Sequence, residues 1–148
     1  MKDALLDTIL DEYATVEAFA SLLAFEQKAL SAVSPLETLP PIIEQKMAMA
    51  DKLAMLERTR EAQLQARGLP SGKHGMAIAV AKDARLGEHW GALQKSAERA
   101  RRLNADNGLM ISTRMEYNRR ILSSLRGTAD KATPSFYGPD GRIPAFGL

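Results

Sequence analysis

The sequence predicts an all-α protein, an elongated antiparallel three-helix bundle that is followed by an irregular tail. Apolar residues recur at alternating steps of three and four through most of the 148 residues, which is the period of helices packed along a seam. Proline is confined to the ends of these periodic stretches and to the last 22 residues, where it cannot interrupt a helix. We therefore divide the chain into a helical bundle domain over 1–127 and a flexible tail over 128–148.

The first helix is predicted over about 3–32. Its seam has eight positions at alternating spacing, of which seven are apolar. These positions are Leu6, Ile9, Tyr13, Val16, Ala20, Leu23, Gln27 and Leu30.

The second helix is predicted over about 38–67, and three prolines leave its first residue open within 35–42. Proline is tolerated in the first turn of a helix but not in its interior. Gly68, followed closely by Pro70, is a typical end of a helix. The seam of this helix is Ile42, Met49, Leu53, Leu56 and Leu64.

A connector with a short helix over about 75–83 leads to the third long helix, predicted over about 86–126. This helix would be roughly 60 Å long, whereas a compact chain of this length is only about 35–40 Å across. Part of it should therefore lack a partner within the same chain. Its seam is apolar in the first half and mixed in the second: Trp90, Leu93, Ala97, Ala100, Asn104, Asn107, Ile111, Arg114, Asn118, Ile121 and Leu125.

Charge is unevenly distributed, although the net charge is only +2. Residues 1–66 carry a net −5 and residues 67–126 a net +7, so packing of the two parts would neutralise both. The arginines of the third helix alternate with acids and accompany no nucleic-acid-binding motif, so we predict no nucleic acid partner.

The composition excludes several other classes of function. The absence of cysteine removes thiolate chemistry and disulfides, and the two histidines lack the carboxylate spacing of a bundle metal site, so we expect no enzyme, cofactor or metal. No stretch is apolar enough to cross a membrane, and the acidic N-terminus does not resemble a signal peptide. We expect a cytoplasmic protein without membrane insertion.

Residues 103–111, LNADNGLMI, combine two asparagines and a glycine inside a helix, where these residue types cost stability. This stretch resembles the L-N-x-x-N-G-x-L-I motif of the FlgN family, the flagellar type III export chaperones of hook-associated proteins. The segment 136–142, FYGPDGR, resembles the Tyr-Gly-x-x-Gly tail of the same family. Looser matches extend through the first two helices, so the resemblance covers nearly the whole chain.

The resemblance implies a cytoplasmic helical chaperone that binds the C-terminal helical region of hook-associated (hook–filament junction) proteins. Such a chaperone prevents premature assembly, delivers its cargo to the cytoplasmic domain of the flagellar export gate, and is by itself a monomer or weak homodimer. The cargo-binding residues that it implies lie in the second half of the third long helix: Ile111, Met115, Ile121, Leu122 and Leu125. We add Asn107 and Gly108 to this set, because a glycine without a Cβ atom allows a partner helix to approach closely and an amide can hydrogen-bond across the contact.

The partner of the two asparagines and Gly108 stays open, because it could be the first helix, the cargo helix, or each in turn. The tail is similarly open: its aromatic residues either fold back onto the bundle or wait for a partner. The resemblance implies that Phe136 and Tyr137 dock on the export gate. The alternative to a chaperone is a self-associating coiled-coil adapter, which would be a tight oligomer before any cargo is added.

Overall fold

The computed structural model describes residues 3–31 and 39–126, and these form four helices. Their bounds are α1 Ala4–Leu30, α2 Leu39–Ala66, α3 Gly72–Ala81 and α4 Ala84–Arg126. The all-α prediction is confirmed. The short helix predicted over about 75–83 is observed as the ten-residue α3, which begins three residues earlier. The description as a three-helix bundle is not confirmed, because the described residues form four helices.

Helix α1 begins where a carboxylate can cap it. Asp3 Oδ1 accepts hydrogen bonds from the backbone N–H groups of Leu5 and Leu6 at 3.0 and 3.2 Å. Helix α2 begins at Leu39, so Pro40 and Pro41 lie in its first turn, where the missing N–H groups would have had no helical partner. The two prolines therefore start α2 rather than break it.

A glycine ends α2 and turns the chain toward α3. Gly68 has a φ of +73°, its N–H donates to Gln65 O at 2.9 Å, and the Leu69 N–H donates to Leu64 O at 3.0 Å. This pair of bonds is a Schellman motif, which satisfies carbonyls at the end of the helix. At Gly75 of α3, a Cβ atom would collide with the carbonyl oxygen of Pro70, so the close approach of this loop requires glycine.

Ion pairs show the relative direction of α1 and α2. Asp3 pairs with Arg67, Glu12 with Arg60 and Glu26 with Lys46, at 2.7, 2.8 and 2.9 Å. Residue numbers rise along α1 as they fall along α2, so these helices are antiparallel.

Helix α4 runs parallel to α1 and antiparallel to α2. Glu17 lies 3.9 Å from Arg99 and Glu26 lies 2.9 Å from Asn107, so residue numbers rise together on the two helices. The backbone of α1 packs closely against both α2 and α4, whereas α2 and α4 approach each other through side chains. One such contact places the Arg60 guanidinium 4.9 Å from the centre of the Trp90 ring.

The central position of α1 explains its wide buried surface. Residues of two faces are enclosed, including Phe19, which is fully buried. The main core contains α1, α2, α3 and α4 side chains near the start of α1, and a smaller cluster of Leu22, Ala29 and Ile42 lies toward its end.

Helix α4 is much longer than its partners. It has 43 residues and spans about 64 Å at 1.5 Å per residue. Its seam is buried from Leu93 to Ile111, and no side chain from 112 to 125 is buried. None of the helices in the described part of the chain is long and apolar enough to cross a membrane.

Candidate functional site

A buried polar triad of Glu26, Lys46 and Asn107 joins the three long helices. Lys46 Nζ donates to both carboxylate oxygens of Glu26, at 2.9 and 3.0 Å. Asn107 Nδ2 donates to Glu26 Oε1 at 2.9 Å and to the backbone oxygen of Leu23 at 2.8 Å. The three side chains are at most 1% exposed, so this buried triad fixes the register of α1, α2 and α4.

Burial disfavours the charged form of Lys46 within this triad. Removal from water lowers the pKa of Lys46, and the neighbouring Glu26 carboxylate opposes that shift. Within the described residues, no group donates a hydrogen bond to Asn107 Oδ1. The triad is therefore held together by the ion pair and by the two donated bonds of the asparagine amide.

In this structure, which contains no cargo, the partner of Asn107 is α1. Its side chain turns inward to α1, and Asn104 and Gly108 are buried on the same side of α4. In this structure the LNADNGLMI stretch is a packing element that holds α4 against α1.

Among the described residues, helix α4 continues past the end of α1 as a projecting segment, residues 112–126. Because Glu26 is level with Asn107, the end of α1 at Leu30 is level with Ile111. The segment beyond it is about 22 Å long. It displays an apolar stripe whose members are 36 to 78% exposed: Met115, Ile121, Leu122 and Leu125.

The stripe continues the buried seam of α4 into solvent. Met115 and Leu122 are seven residues apart, and Leu125 follows three residues later, so all three face one side of the helix. Side chains that would normally enter a core are thus exposed at the end of the bundle. Exposed apolar side chains grouped in this way are typical of protein interaction sites, so we treat the stripe as the candidate site.

The structure divides the seven residues predicted to bind cargo. Asn107, Gly108 and Ile111 are buried in the bundle, and Asn107 is 0% exposed. The four members of the apolar stripe are accessible. Phe136 and Tyr137, predicted for the export gate, lie outside the described residues, as does the predicted tail domain.

Sequence reasoning did not assign Glu26 and Lys46 to the site, although both fit the looser family pattern of the first two helices. The signal was weak because each lies on a helix beside apolar residues, and only the fold brings them together. Lys46 is a charged residue four positions after the buried Ile42, a spacing that places both on one face of α2.

A cavity of about 290 Å³ lies between α2, α4 and the start of α3. Several of its polar groups are already paired: Glu12 accepts from Arg60 Nε at 2.8 Å, and the Glu61 carboxylate accepts from the Gly72 N–H at 2.9 Å. Burial raises the pKa of Glu12, and the Arg60 guanidinium opposes that shift. Because these polar groups are paired with one another, we assign the cavity to the scaffold of the bundle and not to the candidate site.

The fold and the candidate site define an all-α bundle protein with an exposed apolar stripe near the end of its longest helix. A family model described as FlgN protein matches residues 1–145, and the chain therefore belongs to the FlgN family. Membership implies the role of a flagellar export chaperone with hook-associated protein as cargo. Neither curated proteins nor solved structures gave a significant match.

Proposed function

We propose that this protein is a cytoplasmic chaperone that captures the C-terminal helical region of hook-associated proteins on the apolar stripe and delivers them to the export gate. The observation that supports it is the stripe itself, which is helical and apolar and whose members are 36 to 78% exposed. An amphipathic cargo helix that lies on the stripe would bury the four exposed side chains by the helix-in-groove mode. Captured cargo could not assemble early, because its own apolar face would be covered.

The buried members of the predicted set have a supporting role in this proposal. Asn107 holds α4 to α1, and Ile111 is the last buried residue of the seam. Cargo contact would then begin at Met115 and extend along the stripe to Leu125. Because the segment is already helical, it would lose little backbone freedom on binding.

A calorimetric titration tests this proposal. The ligand is a peptide that covers the C-terminal helical region of a hook-associated protein from the same organism. We expect micromolar or tighter binding with a negative heat-capacity change, since apolar surface is buried. Leu125→Asp should weaken binding by about tenfold or more, because burying a leucine contributes about 1.5–3 kcal/mol.

Leu109→Asp is the matched control. Leu109 is 68% exposed on the same helix but lies on the side opposite the stripe. It should bind the peptide like the unchanged chain. Equal losses in both variants, or no binding by the unchanged chain, would contradict the proposal.

The same stripe would also suit the coiled-coil adapter, in which a second copy covers it. Sedimentation over a range of protein concentrations separates the two functions. A chaperone should remain a monomer or weak dimer until the cargo peptide is added. A tight oligomer at the lowest concentration would favour the adapter.

Docking on the export gate is supported only by the family resemblance at Phe136 and Tyr137. We expect Tyr137→Ala to keep its affinity for the cargo peptide and to lose binding to the cytoplasmic domain of the gate. Tyr117→Ala is the control, because Tyr117 is another accessible tyrosine, 64% exposed on α4. Unchanged gate binding by the Tyr137 variant would refute this role.

A further inference from the structure

The apolar stripe lies next to the point where the tail leaves the bundle. Leu125 is the most exposed member of the stripe, at 78%, and α4 ends one residue later at Arg126. Only Gly127 separates α4 from the tail at 128–148. The tail is therefore attached beside the largest exposed apolar side chains of the projecting segment.

The tail is itself rich in apolar side chains. It contains three of the eight aromatic residues of the sequence, and its two acids and two bases cancel. Its larger apolar residues are Phe136, Tyr137, Ile143, Phe146 and Leu148. Segments that stay in solvent are usually poor in aromatic residues, so this composition favours a tail that covers an apolar surface.

The length of chain before Phe136 matches the length of the stripe. Nine residues, 127–135, separate α4 from Phe136, and an unstructured chain of that length has a root-mean-square span of about 17 Å. Along α4, Leu122 and Met115 lie about 6 and 17 Å before Arg126 at 1.5 Å per residue. Tethering at this distance gives Phe136 a millimolar effective concentration at the stripe.

Another surface of the bundle and another occupant of the stripe are both less favourable. Phe25, which is 55% exposed, lies next to Glu26, and Glu26 is level with Asn107. Phe25 is therefore about 28 Å from the end of α4, beyond the usual span of the same nine residues. A second copy at micromolar concentration competes weakly with a segment that is tethered at millimolar effective concentration.

We propose that Phe136 and Phe146 lie against the apolar stripe when no cargo is bound, so that the tail competes with cargo for one surface. The competition rests on the proposed function, whereas the contact of the tail with the stripe does not. Pro134 and Pro139 disfavour a helix around Phe136, so this part of the tail meets the stripe as an extended chain. Neighbouring side chains of an extended chain point to opposite sides, so Tyr137 faces away and keeps its hydroxyl in water.

Competition of this kind lowers the apparent affinity for cargo. A cargo helix binds only the molecules whose stripe is uncovered, and its apparent dissociation constant rises by the inverse of that fraction. The tail covers most molecules when the dissociation constant of its own contact is several-fold below the effective concentration. The tail thus sets a minimum affinity that a partner helix must exceed.

Nuclear magnetic resonance of the full chain tests the contact without any cargo. Phenylalanine rings and methionine methyl groups are labelled, and nuclear Overhauser effects between them are recorded. We expect contacts from phenylalanine rings to the Met115 methyl group that disappear in the variant Phe136→Ser/Phe146→Ser. Met55 is the control, because it is 50% exposed and lies farther from the end of α4 than Lys46 does. The Met55 methyl resonance should be the same in both chains.

Titration with the cargo peptide tests the competition. The variant Phe136→Ser/Phe146→Ser should bind the peptide about three- to tenfold more tightly than the unchanged chain, because its stripe is uncovered in every molecule. Tyr137→Ala is the matched control, since it removes an aromatic side chain of the same tail that faces away from the stripe. This control should bind the peptide like the unchanged chain.

The outcomes separate this inference from the proposed function. A Met115 methyl group without phenylalanine contacts in the unchanged chain would overturn the inference but leave capture of cargo standing. Contacts that vanish on dilution would overturn it in favour of a second copy. Weaker peptide binding by the double variant would make the two phenylalanines part of the cargo site and overturn the competition. Failure of every chain to bind the peptide would contradict the proposed function, while the Met115 contacts would still decide whether the tail covers the stripe.

Discussion

Replacement of Lys46 by methionine tests whether the polar triad holds the bundle together. Lys46 and Glu26 are 1 and 0% exposed, and two N–O contacts of 2.9 and 3.0 Å join them. Methionine preserves most of the side-chain volume but leaves the Glu26 carboxylate buried without the ammonium ion. Breaking such a pair costs about 3–5 kcal/mol, a large share of the roughly 5–15 kcal/mol that stabilises a typical domain.

Urea unfolding followed by circular dichroism measures this loss. Lys52→Met is the control, because Lys52 is exposed on the same helix, and its unfolding free energy should change by less than about 0.5 kcal/mol. Adding Glu26→Gln to Lys46→Met should restore about 2 kcal/mol or more, since the carboxamide removes the unpaired charge and still offers Asn107 Nδ2 an oxygen. Similar stability of Lys46→Met and the Lys52 control would refute the reasoning.

Two further predictions concern the scaffold. Gly75→Ala should lower the unfolding free energy by about 1–3 kcal/mol, because the new Cβ atom would collide with the Pro70 carbonyl. Gly91→Ala should raise the unfolding free energy by up to about 1 kcal/mol in the same urea titration, because there is open space around Gly91. Burial raises the pKa of Glu12 above its ordinary 4.5, so the folded state favours the protonated carboxyl. The contribution of the protonated Glu12 carboxyl to stability is full below pH 4.5 and is lost as the pH rises through the pKa of Glu12 in the folded state. The stability of the unchanged chain relative to Glu12→Gln should therefore fall between pH 4.5 and neutrality, and a constant difference would contradict this assignment.

The helices could be predicted from the sequence because their signals are local. Alternating apolar spacing located the three long helices, and the Gly68 signal placed the end of α2 within two residues of the observed end at Ala66. Pro40 and Pro41 left the start of α2 open, since proline is compatible with several first-turn positions. Helix α3 begins before its predicted first residue. Its first residue is Gly72, which has a φ of +73°, whereas the apolar residues alone predict a later start.

The buried face of α1 was harder to predict because it contacts two helices. A single seam predicts Gln27 as an inward position, whereas the structure encloses Glu26 and leaves Gln27 half-buried. In the stripe of α4, Ile121 and Leu125 could be predicted from periodicity together with the excessive length of that helix, whereas Met115 and Leu122 were named through the family resemblance. The burial of Asn107 could not be predicted, because a single sequence does not show whether an asparagine on the seam contacts a helix of its own chain or of another chain.

The boundary at Ile111 separates two kinds of constraint on sequence change. Before it, a substitution in the seam of α4 alters the core and is limited by stability. After it, no side chain through 125 is buried, so most substitutions there would leave the fold intact. If the stripe binds cargo as proposed, a lineage could therefore alter its choice of cargo by replacing residues in the last turns of one helix, without first acquiring compensating changes elsewhere in the bundle.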